Sequence, residues 1–210
     1  MKKLQNGRSM VEMLGVLAII GVLSVGAIAG YQKAMFKYKL NKQAQQLSQI
    51  INAVAKYYKS FYGEQFYNAN VTSYFVKLGE IPKEMIKGNI NILYDVFNST
   101  AIVNNIHSES SGATTMNVQI NLNLTDDNRY NEDICINSLQ TIKEYKSSIY
   151  NVSVVGFNEE NTYSALAYYG DSHCTSNLKC LKDMKLNDMY ELCISQLTKK
   201  STVFKISWYN

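Results

Sequence analysis

The sequence predicts an α+β protein: a long N-terminal α-helical spine packed on a mainly antiparallel β-sheet head that carries short helices and disulfides. Three observations carry this reading. An apolar run from Met10 to Ala29 leads into an amphipathic stripe, Leu40, Ala44, Leu47, Ile51, Val54, Tyr58 and Phe61, that steps by four and three as a helix face does. Farther on, Thr100 to Ile106 and Thr114 to Leu124 alternate polar and apolar residues in strand fashion. All four cysteines, Cys135, Cys174, Cys180 and Cys193, fall in the C-terminal part, as in a cross-linked domain of an oxidising compartment.

The apolar run, about 20 residues long, suffices to cross a hydrocarbon core of roughly 30 Å. A secretory signal has a shorter apolar core followed by a small-residue cleavage site. Here the leader-like piece, residues 1–7, precedes the run, so cleavage after Gly7 removes the leader and keeps the span over residues 8–30. Glu12 stands at the mouth of the span. A carboxylate at the centre of a bilayer helix costs roughly 2.5 to 3.5 kcal/mol; placement near one end spares much of this, and the group still needs a partner. The new amine on Arg8 is one, offered by a neighbouring copy where helices bundle away from water. The alternative is an Arg8–Glu12 pair on one helix face, worth about 0.2 to 0.5 kcal/mol and less favoured with the basic residue first.

Gly15, Gly21, Gly26 and Gly30, with Ala18, Ser24, Ala27 and Ala29, give the span many small residues, which let helix backbones approach closely in lipid. Glycine is also common in membrane helices generally. Residues 31–62 continue the spine, with no Pro or Gly between Tyr31 and Tyr62 to stop it. A spine of about fifty residues measures near 80 Å, its first half free and its second embedded in the head. Lys33, Lys37, Lys39 and Lys42 alternate with Tyr31, Phe36 and Tyr38, a pattern suited to snorkelling and an aromatic belt at a membrane boundary.

Residues 63–210 suffice for one head domain with its own core. Leu78 to Ile86 reads as a turn and a short helix with Pro82 near its first turn. Ser108 to Gly112 is the turn between the two alternating strands. Glu132 to Leu139 and Tyr190 to Leu197 share a local theme around Cys135 and Cys193, each a short helix before a β-rich run, Ile149 to Phe157 and Thr202 to Tyr209. Four cysteines allow three pairings. The favoured one joins Cys135 to Cys193 and Cys174 to Cys180, worth about 4 and about 2.5 kcal/mol in a chain-entropy account. Zinc is the competing use, with His173 beside Cys174, but the Cys174–Cys180 spacing exceeds the usual two to four and no second Cys-x-x-Cys pair is present.

A short basic leader ending in Gly7, a glutamate at the fifth position after it and an uninterrupted apolar helix resemble a type IV prepilin. The Ile81-Pro82 segment and the cysteines flanking the last strands resemble its type IVb branch more loosely. The resemblance implies that a prepilin peptidase cuts between Gly7 and Arg8, that the new N-terminus is methylated and that Glu12 assists assembly. Arg8 departs from the Phe or Met usual there. By position, Cys135 and Cys193 would bracket a variable, exposed region that includes Asn158 to Asn177. The implied function is a structural pilus subunit: a precursor in the bacterial inner membrane, held by lipid, that the pilus assembly machinery polymerises with copies of itself into an extracellular filament for adhesion, aggregation or motility. A pseudopilin of a type II secretion system and an uncleaved, membrane-anchored binding protein are the alternatives.

No catalytic pattern competes. The chain has two histidines, His107 and His173, outside any nucleophile motif, and no phosphate-loop or dinucleotide glycine pattern, so neither enzyme activity nor a cofactor is expected. Asp126-Asp127 and Glu159-Glu160 lack the alternating oxygen ligands of a calcium loop. Four Asn-x-Ser/Thr sequons, at Asn70, Asn98, Asn123 and Asn151, are expected by chance in so Asn-rich a chain. The formal charge of +4 drops to +2 once Lys2 and Lys3 leave, which argues against a dedicated nucleic-acid site.

Overall fold

The computed structural model describes residues 10–61, 63–123, 130–157, 163–197 and 201–209. Helix α1 spans Met10–Tyr57 without interruption and passes into a 3-10 turn, Tyr58–Ser60, short of the expected end at Tyr62. Gly63, at φ 124°, follows in a conformation other residues rarely adopt. The chain divides into two compact units, Met1–Lys39 and Leu40–Asn210. In the second, α1 buries Leu47, Ile50, Ile51, Ala53 and Val54, a stripe spaced for one helix face. Each fully buried aliphatic side chain on it contributes about 1.5 to 3 kcal/mol. Gln43 and Gln46 are buried on α1 as well, where sequence periodicity places outward-facing polar residues.

The head holds a seven-stranded antiparallel sheet: β1 (Ala69–Asn70), β2 (Leu93–Tyr94), β3 (Thr100–His107), β4 (Thr114–Asn121), β5 (Asn151–Phe157), β6 (Tyr163–Tyr169) and β7 (Ser201–Tyr209). The order is β1-β3-β4-β7-β5-β6, with β2 also on β3. The last strand therefore lies inside the sheet, between β4 and β5. Cross-strand register makes three rows on one face, apolar except for Asn105: Ala101, Ile120 and Phe204; Val103, Val118 and Ile206; Asn105, Met116 and Trp208. All are buried, and Val118 and Ile206 expose nothing. Alternation in β3 and β4 is what the sequence shows; Leu124, placed in the second strand, lies outside the described residues.

Four elements escaped the sequence reading. β6 lies within the Asn158 to Asn177 stretch expected to belong to a variable, exposed region, and β1 and β2 have two residues each. Helix α2, Thr72–Lys77, fills the stretch after β1. Asn70 Oδ1 accepts the Thr72 N–H at 3.0 Å at its start. At its end Gly79 N–H reaches the Val76 carbonyl and Glu80 N–H the Phe75 carbonyl, a Schellman stop that Gly79 allows with φ 75°. Pro82 flanks the 3-10 turn Lys83–Met85, the short helix expected there.

Helices α3 (Asn131–Glu144) and α4 (Leu186–Leu197) precede β5 and β7 respectively. α3 buries Ile134, Cys135, Leu139 and Ile142 at helical spacing, and α4 buries Met189, Leu192 and Cys193. At the end of β6, Gly170 lies so close to the Ile149 carbonyl that a Cβ would sit 2.0 Å from its oxygen. Glycine at this point lets the chain pass from β6 into the cysteine-bearing turn.

Candidate functional site

Of the expected cleavage pair, both Gly7 and Arg8 lie outside the described residues, as do Asp126-Asp127, Glu159-Glu160 and Asn158 of the region assigned as variable. Glu12 sits in the first turn of α1, where a carboxylate meets the positive end of the helix dipole. Within the first unit every described side chain from Met10 to Ala34 is exposed; Val11 stands at 77 % and Val22 at 75 % of full exposure. Such an apolar surface is not stable facing water. By length and composition this is one helix able to cross a membrane.

Gly15, Gly21, Gly26 and Gly30 open the flank of this helix. A Cβ added at any of the four would meet nothing within 4 Å. Their small size therefore relieves no crowding inside the single chain. Ser24 is absorbed locally, its Oγ donating to the Ile20 carbonyl at 2.7 Å. Lys33, Lys37 and Lys39 are exposed, whereas Lys42 of the same basic cluster pairs with Glu84 at 2.8 Å, in the head rather than at a lipid boundary.

In the head Cys135 is joined to Cys193 and Cys174 to Cys180, with Cα separations of 5.9 and 5.5 Å. The first bond ties α3 to α4 and is fully buried. The second closes a turn with a sequence separation of 6, and its Cys180 bridges to Tyr169 at the end of β6, whose N–H reaches the Lys179 carbonyl at 2.8 Å. The Asp183 carboxylate lies within 4.8 Å of Cys174 and Cys180 sulfurs, but sulfurs joined to each other offer no thiolate to a metal.

A polar junction that sequence reasoning missed holds α1 in the head. Gln43 Nε2 donates to Asp95 Oδ2 at 3.1 Å, and Asn137 Nδ2 donates to Gln43 Oε1 and to the Leu40 carbonyl, both at 2.9 Å. Gln46 Oε1 accepts the Val96 N–H at 2.9 Å. Asp95 Oδ1 takes the N–H groups of Phe97 and Ser99, so one carboxylate shapes the turn into β3. Burial pushes the Asp95 carboxyl above its ordinary range, against the pull of the Ser99, Gln43 and Phe97 donors. At the surface, hydrogen bonding to Lys56 first, and to Tyr57, holds Glu80 below the usual carboxylate range, and Lys42 does the same for Glu84. The sequence signal for the turn was Asp95 two and four residues before Phe97 and Ser99; nothing local marked Gln43 as buried.

The histidines stand at separate places. His107 Nδ1 lies 3.0 Å from Thr114 Oγ1 and its ring stacks on Tyr67 at 3.8 Å, while His173 meets the edge of Tyr150 at 4.6 Å. Two sequons are used in the fold itself: Asn70 donates to the Asn91 carbonyl while buried Thr72 Oγ1 accepts the Val103 N–H, and Asn98 contacts Lys87 from a left-handed turn position. Scans against protein-family models, curated proteins and solved structures find no match to this chain.

Proposed function

We propose that this chain is the structural subunit of a type IV, IVb-like pilus, made as an inner-membrane precursor, cut between Gly7 and Arg8 and polymerised through α1. The observation that carries the reading is the continuity of α1, a single 48-residue helix whose apolar first part is exposed and whose second part is built into a disulfide-bearing α+β head. One helix then serves two environments in turn. In the membrane, lipid covers Met10 to Ala29; in a filament, the same side chains of other copies replace lipid. Glu12, in its first turn, pairs with the amine of a neighbouring subunit once helices bundle and water leaves. The head, with its core closed by Cys135–Cys193, forms the outer surface.

Intact-mass and N-terminal analysis of protein from sheared surface material, and separately from membranes, tests this. A surface species beginning at Arg8 supports processing and export, and added methyl mass reports methylation of the new terminus. Full-length protein confined to membranes overturns the reading in favour of an anchored binding protein. A processed species confined to the periplasmic side, in cells that secrete through a type II system, points to a pseudopilin.

A further inference from the structure

A groove of the head lies between the last turn of α3 and the segment that leads into α4, with a cavity of about 710 Å³. Four lysines line it, Lys143, Lys146, Lys182 and Lys185. Lys146 faces Asp171 at 3.5 Å. Among the described residues the ammonium groups of the other three have no carboxylate partner, although the Lys185 backbone N–H donates to Asp188 Oδ2 at 2.6 Å. Lys143 is half-buried, and its ammonium donates to the Met184 carbonyl at 2.5 Å. An ammonium has three donors and loses solvation when partly buried, so a carbonyl alone leaves it short of the anion it would pair with best. Lys182 and Lys185 are exposed at the rim, and Leu186, 61 % exposed, adds an apolar edge.

Two carboxylates, Glu144 and Asp183, and the amide of Gln140 stand among these lysines. That mixture decides between anions. A nucleic acid presents one charge per about 1.7 Å of duplex and would be repelled by both carboxylates, and aromatic rings on which bases stack are missing from the lining. A sugar acid presents one carboxylate among several hydroxyls. Lysines take the carboxylate in charge-assisted bonds, and Glu144, Asp183 and Gln140 accept from the hydroxyls. We propose that this groove binds the acidic sugars of a carboxylate-bearing oligosaccharide, Lys143, Lys182 and Lys185 holding the carboxylate and Asp183 the neighbouring hydroxyls. The groove lies wholly in the head, so binding stands or falls independently of filament assembly.

Calorimetric titration of the full-length chain in detergent with tri-galacturonate, and with its methyl ester, tests the assignment, because the ester keeps every ring hydroxyl and loses the charge. The acid binds about tenfold more tightly than the ester or better. Lys182→Gln with Lys185→Gln weakens the acid by about tenfold or more, and the same pair changed to Arg keeps it within about threefold. Asp183→Asn is the deciding variant: a hydroxyl-accepting carboxylate makes binding of the acid weaken on its loss, whereas plain ion exchange makes it strengthen. Far-ultraviolet circular dichroism and the melting temperature confirm that each exposed-residue variant is folded. No binding of the acid, equal binding of acid and ester, strengthening by Asp183→Asn, or displacement of the acid by an equimolar single-stranded oligonucleotide each overturns the proposal.

Discussion

Asn137 on α3 donates through one nitrogen to both the side chain of Gln43 and the carbonyl of Leu40, each at 2.9 Å. Gln43 is 3 % exposed and passes the connection on to Asp95 at 3.1 Å. An amide is suited to this place because it accepts from one neighbour and donates to the other. The helix, the turn before β3 and α3 are thereby held in one register by groups that apolar packing alone would leave free to slide.

Gln43→Leu keeps the volume and removes both functions of the amide. Asn137 loses an acceptor and the buried Asp95 a donor, so the change destabilises the head by about 1 to 3 kcal/mol although it adds an apolar side chain. Urea unfolding monitored at Trp208, which is buried in the sheet, measures the loss. An unchanged or raised midpoint would show that the junction is not holding the helix.

Asp95 gives the head a pH signature opposite to that of its surface carboxylates. Its folded pKa is raised, so between its unfolded value and that raised value the folded state holds more protons, and stability falls as pH rises through this window. Glu80 and Glu84 are lowered by their lysine partners; their contribution is present above the unfolded carboxylate value and is lost as pH falls through the folded one. Asp95→Asn keeps an oxygen for the Phe97 and Ser99 N–H groups and cannot ionise. The stability difference between the wild type and Asp95→Asn should therefore be larger near pH 3.5 than near pH 7. Denaturant midpoints of both proteins at the two pH values check the sign, and a difference that grows with pH would contradict the assignment.

The two disulfides should weigh unequally. Cys135 and Cys193 expose nothing and close a 58-residue separation, worth about 4 kcal/mol in the chain-entropy account, while Cys174–Cys180 spans six residues and is worth about 2.5. Replacing Cys135 and Cys193 by Ala should lower the melting temperature well beyond the loss from the Cys174→Ala, Cys180→Ala pair. Differential scanning calorimetry of both double variants decides it; equal losses would mean that α3 and α4 are held by packing rather than by the bond.

What could be read from the sequence was what repeats locally. Leu47, Ile51 and Val54 announce a helix face, and Met116, Val118 and Ile120 announce a strand, because burial on one side imposes a period on neighbouring residues. β6 carried no such sign: its Ala165 and Ala167 are small, and it exists because β5 offers a free edge on which Tyr163–Tyr169 pairs. Two-residue strands such as β1 and β2 are too short to show a period at all. Glu12 and the glycines were legible because they break the composition of an apolar run. Gln43 was not, since a buried amide looks like a surface one until its partners, 52 and 94 residues away, are in place. The groove lysines come together the same way, Lys143 from one helix and Lys182 and Lys185 from a segment about forty residues later.

Assembly through α1 predicts that two changes in the first unit leave membrane insertion of the single chain intact and still cut fibre yield. At Gly26 an added side chain meets open space in the lone subunit, so Gly26→Leu should leave the melting of the head and insertion into membranes unchanged. In a bundle the same side chain holds neighbouring backbones apart, and fibre yield falls by about tenfold or more. Glu12→Ala removes the carboxylate from an apolar segment, which if anything eases membrane insertion by up to roughly 2.5 kcal/mol. The main cost appears where the amine of a neighbouring copy is stripped of water and left without its counter-charge, a loss of about 3 to 5 kcal/mol per subunit added. Sheared-fibre yield from cells with each variant as sole subunit, set against membrane content and N-terminal processing in the same cells, separates the steps. Normal fibre yield from Glu12→Ala would remove the carboxylate from assembly, and a drop in membrane content from either variant would place the defect before it.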